Sequence, residues 1–401
     1  MTGDAVVPIA YCVVGGCGHV GLPLAMAFAR KGIQATSFDI NPVAVASVNS
    51  GQMPFDEPQA AEVLSEILSA GTFRASTDPA VVTAADVVIV VVGTPVDEHL
   101  NPDTQAVPDA ISALGPNLRD GQLLVLRSTV YPGVTRLVEE RIVALGLDIA
   151  VAFCPERIAE GKAFTELYSL PQIVSGRTPA AVRRASEVFR NLTDQIVETS
   201  PEEAELAKLF TNTWRYIKFA AANQFYMIAN SHGIDYEAVR HAITFDYPRA
   251  KDLPGAGFAA GPCLFKDTMQ LAAFNNNTFF LGHAAMMVNE GLPMYLVERM
   301  DERFGLRDKT VGILGMAFKA ESDDVRSSLS YKLKRILKFR SREVLCADPY
   351  VTTDKSLVSQ DELLSRADIL IIGAPHPQYK TLVTDRPIVD VWNCRDAGVL
   401  L

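Results

Sequence analysis

The segment GPCLFKD at residues 261–267 places Cys263 three residues before Lys266 and four before Asp267. A thiol with acid and base groups nearby is a common nucleophile in covalent catalysis. A cysteine beside the charged start of a helix is also common as an inert buried thiol. Cys263 and Asp267 share one face only where a helix begins near the cysteine. Both interpretations stay open until the rest of the chain is considered.

Lys208 and Asn212 form a second candidate pair, four residues apart in a long helical pattern. Residues at that spacing lie on the same helix face. A partly buried lysine with an amide one turn away can stabilise a developing alkoxide. The alternative is an exposed lysine on a long helix, which this pair alone does not exclude.

Thr94, Thr129 and Glu156 each follow an apolar run that is typical of a buried parallel strand. Ligands in open α/β sheets bind at the carboxyl ends of the strands. The two threonines could orient a water or hydrogen-bond a bound ligand, or they could be turn residues. Glu156 is a candidate general base, and a solvated loop carboxylate is the alternative.

The segment VVGGCGHVGLPLA carries Gly16, Gly18 and Gly21 in the spacing GxGxxG, between a predicted strand and a predicted helix. These glycines permit the tight turn, the approach of a pyrophosphate and close helix packing. Asp39 ends the next strand, 18 residues after Gly21, where a carboxylate binds ribose hydroxyls and repels a 2′-phosphate. We therefore expect NAD rather than NADP. The predicted cofactor-binding residues are Gly16, Gly18, His19, Val20, Gly21, Asp39, Thr94 and Thr129.

Strand and helix patterns alternate in the first half of the chain and again after residue 308, which is typical of doubly wound α/β domains. The predicted strands cover 11–16, 34–40, 86–93, 122–129, 149–156, 172–176, 309–318, 343–350, 369–375 and 387–392, and predicted helices in the first half cover 21–31, 57–69 and 134–145.

A long helix is predicted over 201–231, with Ser200 and Glu203 as a capping box and Gly233 as its stop. A helix of this length suits a connector or a dimer spine. The predicted fold is α/β, with two Rossmann-like doubly wound domains joined by this long central helix. The expected domains are an NAD-binding domain at 1–199, a central helical dimerisation segment at 200–300 and a C-terminal nucleotide-sugar-binding domain at 301–401.

Ordered motifs along essentially the whole chain resemble the UDP-glucose/GDP-mannose dehydrogenase family, the nucleotide-sugar 6-dehydrogenases. They are GCGHVGLPLA, VGTPVDE, RSTVYPGVT, CPERIAEGKA, AELAKLFTNTWR, AGPCLFKDTMQL, NEGLP, GMAFKAESDDVRSS and ADPY. The resemblance implies a homodimer that oxidises the C6 alcohol of a nucleotide-diphospho-hexose to a carboxylate, with two NAD+ and one water.

The resemblance also implies roles for individual residues. Cys263 would be the nucleophile that forms a thiohemiacetal and a thioester, Lys208 and Asn212 would stabilise the oxyanion, and Asp267 would position water or accept protons. Thr129 would hold a water, and Glu156 would be a base for hydrolysis. The substrate-binding residues that it implies are Glu156, Glu160, Lys208, Asn212, Arg249, Gly261, Lys319 and Arg326, with Arg249 able to reach a neighbouring subunit.

The run GFAAGPC departs from the family form GFGGSC, because Ala259, Ala260 and Pro262 stand near the cysteine. This puts the identity of the sugar in doubt. Lys266 before Asp267 resembles the UDP-glucose branch of the family, which favours a glucose-type sugar, UDP-glucose or dTDP-glucose, with a UDP-N-acetylhexosamine as the alternative. Two further functions stay open, a two-electron dehydrogenase of the hydroxyacid type and a catalytically silent nucleotide-binding protein.

The composition narrows the classes of partner. A net charge of −10 and a pI near 5.2 argue against nucleic acid and membrane surfaces as partners. The six cysteines are scattered without zinc spacing, so neither a metal nor disulfides are expected. With no basic, apolar leader pattern at the N-terminus, we expect a cytoplasmic protein.

Overall fold

The structure is a computed structural model that describes residues 9–94, 96–97 and 102–401. Pro95 and Glu98 of the VGTPVDE motif lie outside these described residues, as does most of the N-terminal segment used to predict the location. The chain divides into two compact units, Met1–Phe210 and Thr211–Leu401. We call them the first and the second unit.

An eight-stranded sheet forms the centre of the described part of the first unit, in the order β3-β2-β1-β4-β5-β6-β7-β8. All neighbouring pairs are parallel except β6 and β7. The first six strands of this order follow the doubly wound dinucleotide-binding arrangement. The strands are β1 (Ala10–Val14), β2 (Gln34–Phe38), β3 (Phe73–Ser76), β4 (Val87–Val90), β5 (Leu123–Leu126), β6 (Ala150–Phe153), β7 (Gln172–Gly176) and β8 (Ile196–Thr199).

Both faces of this sheet are buried. On β1, Tyr11 and Val13 belong to one apolar cluster, and Cys12 and Val14 belong to the cluster on the other face. This explains why the strand segments are continuous apolar runs. The helices are α1 (Gly21–Arg30), α2 (Pro42–Asn49), α3 (Ala60–Ser69), α4 (Ala106–Leu114), α5 (Val134–Ala144), α6 (Ala163–Ser169) and α7 (Pro179–Arg190), with 3₁₀ turns at Pro79–Val82 and Gly115–Asn117.

Helix α8 (Pro201–Ser231) has the bounds that its sequence predicts. The Glu203 carboxylate accepts the N–H of Ser200 at 2.9 Å, and the Glu203 N–H donates to Ser200 Oγ at 3.5 Å, which is the capping box. Gly233 has a φ of +69°, so a left-handed residue follows the helix end.

The described part of the second unit contains a four-stranded parallel sheet in the order β10-β9-β11-β12. Its strands are β9 (Thr310–Leu314), β10 (Glu343–Ala347), β11 (Ile369–Ile372) and β12 (Ile388–Val389). The helices are α9 (Tyr236–Thr244), α10 (Leu264–Phe274), α11 (Phe280–Phe304), α12 (Leu329–Arg340) and α13 (Gln360–Arg366), with 3₁₀ turns at Leu306–Asp308 and Pro377–Tyr379.

The chain is therefore an α/β protein with two Rossmann-like sheets and a long central helix, as predicted. The short strands β3 and β8 were not predicted from the sequence, nor was the antiparallel direction of β7 relative to β6. Among the described residues, no helix is both long enough and apolar enough to cross a membrane.

Glu205 on α8 holds the start of α5 within the first unit. Only 1% of Glu205 is exposed, and its carboxylate accepts the N–H of Gly133 at 2.7 Å and both the N–H and the hydroxyl of Thr135 at 2.8 and 2.6 Å. Three donors therefore depend on one buried carboxylate.

Replacing Glu205 by alanine should lower the free energy of unfolding by about 3 kcal/mol, because each buried donor left without a partner costs at least about 1 kcal/mol. Urea denaturation followed by circular dichroism measures this. Glu202→Ala is the control. Glu202 lies on the same helix as Glu205 and forms an exposed ion pair with Arg177, so its loss should lower the free energy of unfolding by less than about 1 kcal/mol. Equal losses in the two variants would contradict the role of Glu205.

Candidate active site

The glycine turn between β1 and α1 leaves space beside Gly18. A Cβ atom at Gly16 would lie 2.5 Å from Val13 O, and one at Gly21 would lie 2.4 Å from Gly15 O. At Gly18, the nearest atom to an added Cβ is Gly15 O at 3.8 Å. Gly16 and Gly21 are therefore required by packing, whereas Gly18 leaves backbone open to a ligand at the start of α1.

Asp39 follows β2 and faces this turn. One carboxylate oxygen accepts the N–H of Cys17 at 3.0 Å, and the other accepts the N–H of Asn41 at 3.0 Å. A carboxylate oxygen can accept two hydrogen bonds, so these two contacts leave acceptor capacity for ribose hydroxyls. The turn, the helix start and Asp39 together fit an NAD molecule, whose pyrophosphate and adenosine ribose they would hold.

Two other residues of the turn have defined surroundings. The His19 ring stacks on Phe55 with centroids 4.1 Å apart and 19° between the planes. Burial, with a smaller contribution from Asp39, raises the pKa of Cys17 to about 12, so this thiol stays protonated at neutral pH. Val20 directly precedes α1.

Thr94 and Thr129 lie together at the carboxyl ends of β4 and β5. The Thr94 hydroxyl donates to the Thr129 carbonyl at 2.6 Å, and the neighbouring Ser128 hydroxyl donates to Val92 O at 2.7 Å. The structure thus brings together two residues that the sequence placed at strand ends. The hydrogen bond of the Thr94 hydroxyl to a backbone carbonyl matches the turn chemistry that was the alternative interpretation for that residue.

Glu156 is a buried carboxylate, 7% exposed, with four donors. One oxygen accepts Arg127 Nε at 2.8 Å and Arg127 Nη2 at 2.6 Å, and the other accepts the N–H groups of Arg157 at 2.7 Å and Ile158 at 3.0 Å. A carboxylate offers about four acceptor positions, so these contacts occupy all of them. These contacts brace the loop that follows Glu156, and the general-base role implied by the resemblance stays a prediction.

The same loop is fixed by two further carboxylates. Glu57 accepts the N–H groups of Gly161 at 2.8 Å and Ala163 at 2.9 Å, and Glu166 accepts that of Ala159 at 2.6 Å. Glu160 is the partly exposed carboxylate of this braced loop.

Sequence reasoning missed Arg127 and Glu57. Arg127 is 1% exposed, and Nη2 also donates to Gln172 Oε1 at 3.0 Å. A charged residue directly after the apolar run LLVL was the available signal, because buried arginines need acceptors. Glu57 has no comparable signal, since its loop partners lie more than 100 residues later in the chain.

Lys208 and Asn212 lie one turn apart on α8 and are 8% and 4% exposed. The exposed lysine that was the alternative interpretation is therefore excluded. In the second unit, Asn212 Nδ2 donates to Asp267 Oδ2 at 2.5 Å, and Asp267 is fully buried. Lys266 Nζ lies 3.6 Å from the other oxygen of Asp267.

Helix α10 begins at Leu264, so Cys263 is its N-cap residue, and the Asp267 N–H donates to Cys263 O at 2.8 Å. This meets the condition under which Cys263 and Asp267 lie on one side of the helix start. The Cys263 side chain is exposed, whereas Cys12, Cys17, Cys154 and Cys346 are buried.

The remaining predicted substrate residues have the following surroundings. Gly261 has a φ of +98°, and a Cβ atom there would lie 2.7 Å from the Phe318 ring, so only glycine fits. Lys319 Nζ lies 5.6 Å from the Phe318 centroid. Arg326 donates hydrogen bonds from Nε and Nη2 to the Asp324 carboxylate. Arg249 is exposed, and its Nε donates to Tyr247 Oη at 2.8 Å.

Family models of three domains match the chain: the NAD binding domain of the UDP-glucose/GDP-mannose dehydrogenase family at residues 10–193, its central domain at 202–290 and its UDP binding domain at 312–397. These domains define an NAD-dependent oxidoreductase that acts on nucleotide sugars. The chain belongs to the UDP-glucose/GDP-mannose dehydrogenase family.

Individual relatives match over nearly their whole length. UDP-N-acetyl-D-mannosamine dehydrogenase of Pyrococcus horikoshii is 32% identical over 381 residues, which cover 92% of this chain and 90% of the relative. The enzyme of the same name from Escherichia coli (strain K12) is 30% identical over 402 residues, covering 92% and 94%. The solved structure of a UDP-glucose dehydrogenase from Pyrobaculum islandicum superimposes with a TM-score of 0.90 at 29% identity, covering 99% and 98%.

The glycine turn gives a matched pair of variants. Gly18→Ala should raise the Kd for NAD+ at least tenfold without changing the melting temperature, because its Cβ enters space left open beside the turn. Gly16→Ala should lower the melting temperature, because its Cβ meets Val13 O and Ser37 at less than 3 Å. Calorimetric titration and thermal unfolding measure the two effects, and an unchanged Kd in Gly18→Ala would contradict the assignment of the turn to NAD.

Proposed function

We propose that the chain oxidises the C6 alcohol of a UDP-N-acetylhexosamine, UDP-N-acetyl-D-mannosamine, to the carboxylate. The observation that carries this proposal is the full-length match to two relatives that bear the name of that activity. The sequence alone favoured a glucose-type sugar and kept a UDP-N-acetylhexosamine as the alternative. The proposal adopts that alternative.

UDP-glucose is the second candidate. A solved UDP-glucose dehydrogenase superimposes with a TM-score of 0.90, and Lys266 precedes Asp267 as expected for the glucose branch. Fold similarity of this kind supports the reaction more strongly than it supports the choice of sugar.

The proposed reaction converts R–CH₂OH, one water and two NAD+ into R–COO⁻, two NADH and three protons. NAD+ supplies the hydride acceptor for each oxidation. In the first, the C6 alcohol loses a proton and a hydride to become an aldehyde, while Lys208 and Asn212 stabilise the negative oxygen.

Cys263 then adds to the aldehyde carbon. A C–S bond forms, and the former carbonyl oxygen of the thiohemiacetal is stabilised by the same two side chains. Loss of the second hydride and a proton leaves a thioester. Water adds to the thioester carbon, the C–S bond breaks, and the thiol is regenerated with release of the carboxylate.

The hydrogen bond between Asn212 and Asp267 supports this division of roles. It orients the Asn212 amide on α8, and it leaves one Asp267 oxygen, near Lys266, without a hydrogen bond among the described residues. We propose that this oxygen positions the hydrolytic water. The contacts of Glu156 brace the loop that carries Glu160, and we keep Glu156 as the proposed base for hydrolysis.

We further propose that Gly261, Lys319 and Arg326 bind the nucleotide sugar, that Glu160 shapes its site, and that Arg249 reaches the site from a neighbouring subunit. The three-part division at 1–199, 200–300 and 301–401 is part of this proposal. It is supported by the family models, since each falls within one of the three segments.

A substrate screen tests the function. With UDP-N-acetyl-D-mannosamine, UDP-N-acetylglucosamine, UDP-glucose, dTDP-glucose and GDP-mannose at equal concentration, UDP-N-acetyl-D-mannosamine should give the highest kcat/KM and two NADH per sugar. NADH absorbance gives the rates, and mass spectrometry identifies the uronic acid. One NADH per sugar would indicate a two-electron dehydrogenase, and a higher kcat/KM for UDP-glucose would favour the second candidate.

The Cys263→Ala variant, assayed in the same screen, tests the covalent mechanism. It should form no uronic acid, because no thioester can form. Normal turnover by this variant would rule out the covalent mechanism while leaving the choice of substrate open.

We also propose that the chain is a homodimer that pairs through an apolar stripe on α8. Trp214, Ile217, Ala221, Phe225 and Ile228 recur at intervals of three and four residues, and so form one helix face. Trp214, Phe225 and Ile228 are 57%, 47% and 53% exposed. Exposed aromatic and aliphatic side chains in one stripe are typical of a protein interface.

Phe225→Glu should convert the dimer to a monomer of 43.6 kDa, because it places an unpaired charge in an apolar interface. Light scattering coupled to gel filtration measures the mass. Phe339→Glu is the control, because Phe339 on α12 is 90% exposed and outside the stripe. A monomeric wild-type chain, or a dimeric Phe225→Glu variant, would contradict the proposal.

A further inference from the structure

The side-chain amide of Asn223 on α8 pairs with both backbone polar groups of Gly257. Its Nδ2 donates to Gly257 O at 3.0 Å, and its Oδ1 accepts the Gly257 N–H at 2.9 Å. Asn223 is fully buried. One side chain therefore holds this residue of the loop in the way that a neighbouring strand would hold it.

Asn289 on α11 completes the arrangement. Asn223 Nδ2 also donates to Asn289 Oδ1 at 2.9 Å, and Asn289 Nδ2 donates to Tyr216 O at 3.0 Å. Asn289 is fully buried as well. We call Asn223 and Asn289 the amide clamp; it ties α8, α11 and the loop together through four hydrogen bonds.

Gly257 is fixed from its other side by Trp392. Its φ is +146°, and an added Cβ atom would lie 2.3 Å from the indole ring, so the residue has to be glycine. The following residue, Phe258, is 4% exposed and packs edge-on against the same indole, with centroids 5.8 Å apart. The loop is thus held between the amide clamp and a large aromatic side chain.

The clamped residue is six positions before Cys263, and the intervening chain is also fixed. Ala259 is 3% exposed, and Gly261 packs against the Phe318 ring with its N–H donating to Ser327 O at 3.4 Å. Helix α10 then begins at Leu264. The exposed thiol of Cys263 is therefore the end of a segment whose course is set at Gly257 and Gly261.

Buried amides in an apolar environment stabilise a fold less than apolar side chains of the same size unless they are hydrogen-bonded. When they are fully hydrogen-bonded, they fix the positions of the groups that they contact. Tyr226, Phe258 and Leu292 belong to the apolar cluster of this part of the second unit. Within it, the amide clamp defines the position of one peptide group, which apolar packing leaves less well defined. Placement of a nucleophile to within about 0.5 Å is the kind of task that needs such support.

We propose that Asn223 and Asn289 are positioning residues for Cys263, acting through Gly257 on the addition of the thiolate to the C6 aldehyde. The proposal rests on the proposed function, in which the Sγ–C6 bond forms only after the first oxidation. Loss of the amide clamp should therefore impair the second oxidation more than the first, and aldehyde should escape.

Asn223→Asp tests this, because it replaces a donor by an oxygen that faces Gly257 O and Asn289 Oδ1. Asn230→Asp is the matched control. Asn230 lies on the same helix, is 6% exposed, and bonds to Tyr295 Oη at 2.9 Å and to the N–H of Leu401 at 2.7 Å instead of to the loop. Asn289→Ala is a second clamp variant, which removes an acceptor and leaves the two bonds to Gly257.

Hydrogen exchange of a peptide spanning residues 253–264 should accelerate at least tenfold in Asn223→Asp and remain unchanged in Asn230→Asp. NADH per sugar should fall from two toward one in Asn223→Asp, with free aldehyde trapped by hydroxylamine and the Kd for NAD+ unchanged. Asn289→Ala should show the same changes to a smaller extent. Unchanged exchange, or faster exchange with two NADH per sugar at the wild-type rate, would overturn the proposal.

Alkylation of Cys263 separates failure of this inference from failure of the proposed function. Burial raises the pKa of Cys346 to about 11 and of Cys12, Cys17, Cys154 and Cys394 to about 12, so iodoacetamide at pH 8 reports on Cys263. A released segment moves the thiol from the helix start, whose N–H groups favour the thiolate. Even without a substrate, the alkylation rate should fall at least threefold in Asn223→Asp and stay unchanged in Asn230→Asp. An unchanged rate in Asn223→Asp would overturn the proposal.

Discussion

Buried backbone N–H groups need acceptors, and in this chain many of those in loops find them in side-chain carboxylates. Asp39 accepts the N–H of Cys17, Glu57 those of Gly161 and Ala163, and Glu205 those of Gly133 and Thr135. Each acceptor lies far along the chain from the loop that it holds. The loops at the carboxyl ends of the strands therefore have a defined course before any ligand binds, and their remaining donors point in fixed directions.

A carboxylate that accepts backbone N–H groups of loops follows a strand in each of the two sheets, with one difference between them. Asp348 follows β10 as Asp39 follows β2, and its oxygens accept the N–H groups of Met316, Ala317, Tyr350 and Val351 and contact His376 Nε2. Burial acts to raise the pKa of Asp348, but hydrogen bonds from His376 and the backbone outweigh it and lower that pKa. With five partners, Asp348 has no capacity for a ribose, whereas Asp39 has. Of these two carboxylates, Asp39 is thus the one equipped to hold a dinucleotide.

Features encoded by neighbouring residues could be predicted from the sequence. The capping box at Ser200 and Glu203, the glycine turn before α1 and the helix start after Cys263 each depend on fewer than ten consecutive residues. Partnerships across the chain could not be predicted. The pairing of Arg127 with Glu156 spans 29 residues and that of Asn223 with Asn289 spans 66, and a pattern of residue types does not specify which distant groups meet. The reversal of β7 belongs to the same class, because an apolar run does not encode strand direction.

Helix α8 has a further consequence for how sequences of this kind can change. Asn212 and Asn223 are eleven residues apart, and so are Trp214 and Phe225, which is close to three full turns, so the members of each pair point in directions about 20° apart. A single inserted or deleted residue between them would rotate everything downstream by about 100°. The Asn223 amide that reaches Gly257 and the downstream residues of the apolar stripe, Phe225 and Ile228, would then turn together, out of phase with Asn212 and Trp214. Point substitutions along this helix can be compensated one at a time, whereas a change in its length cannot, so length variation should be confined to the loops that flank it.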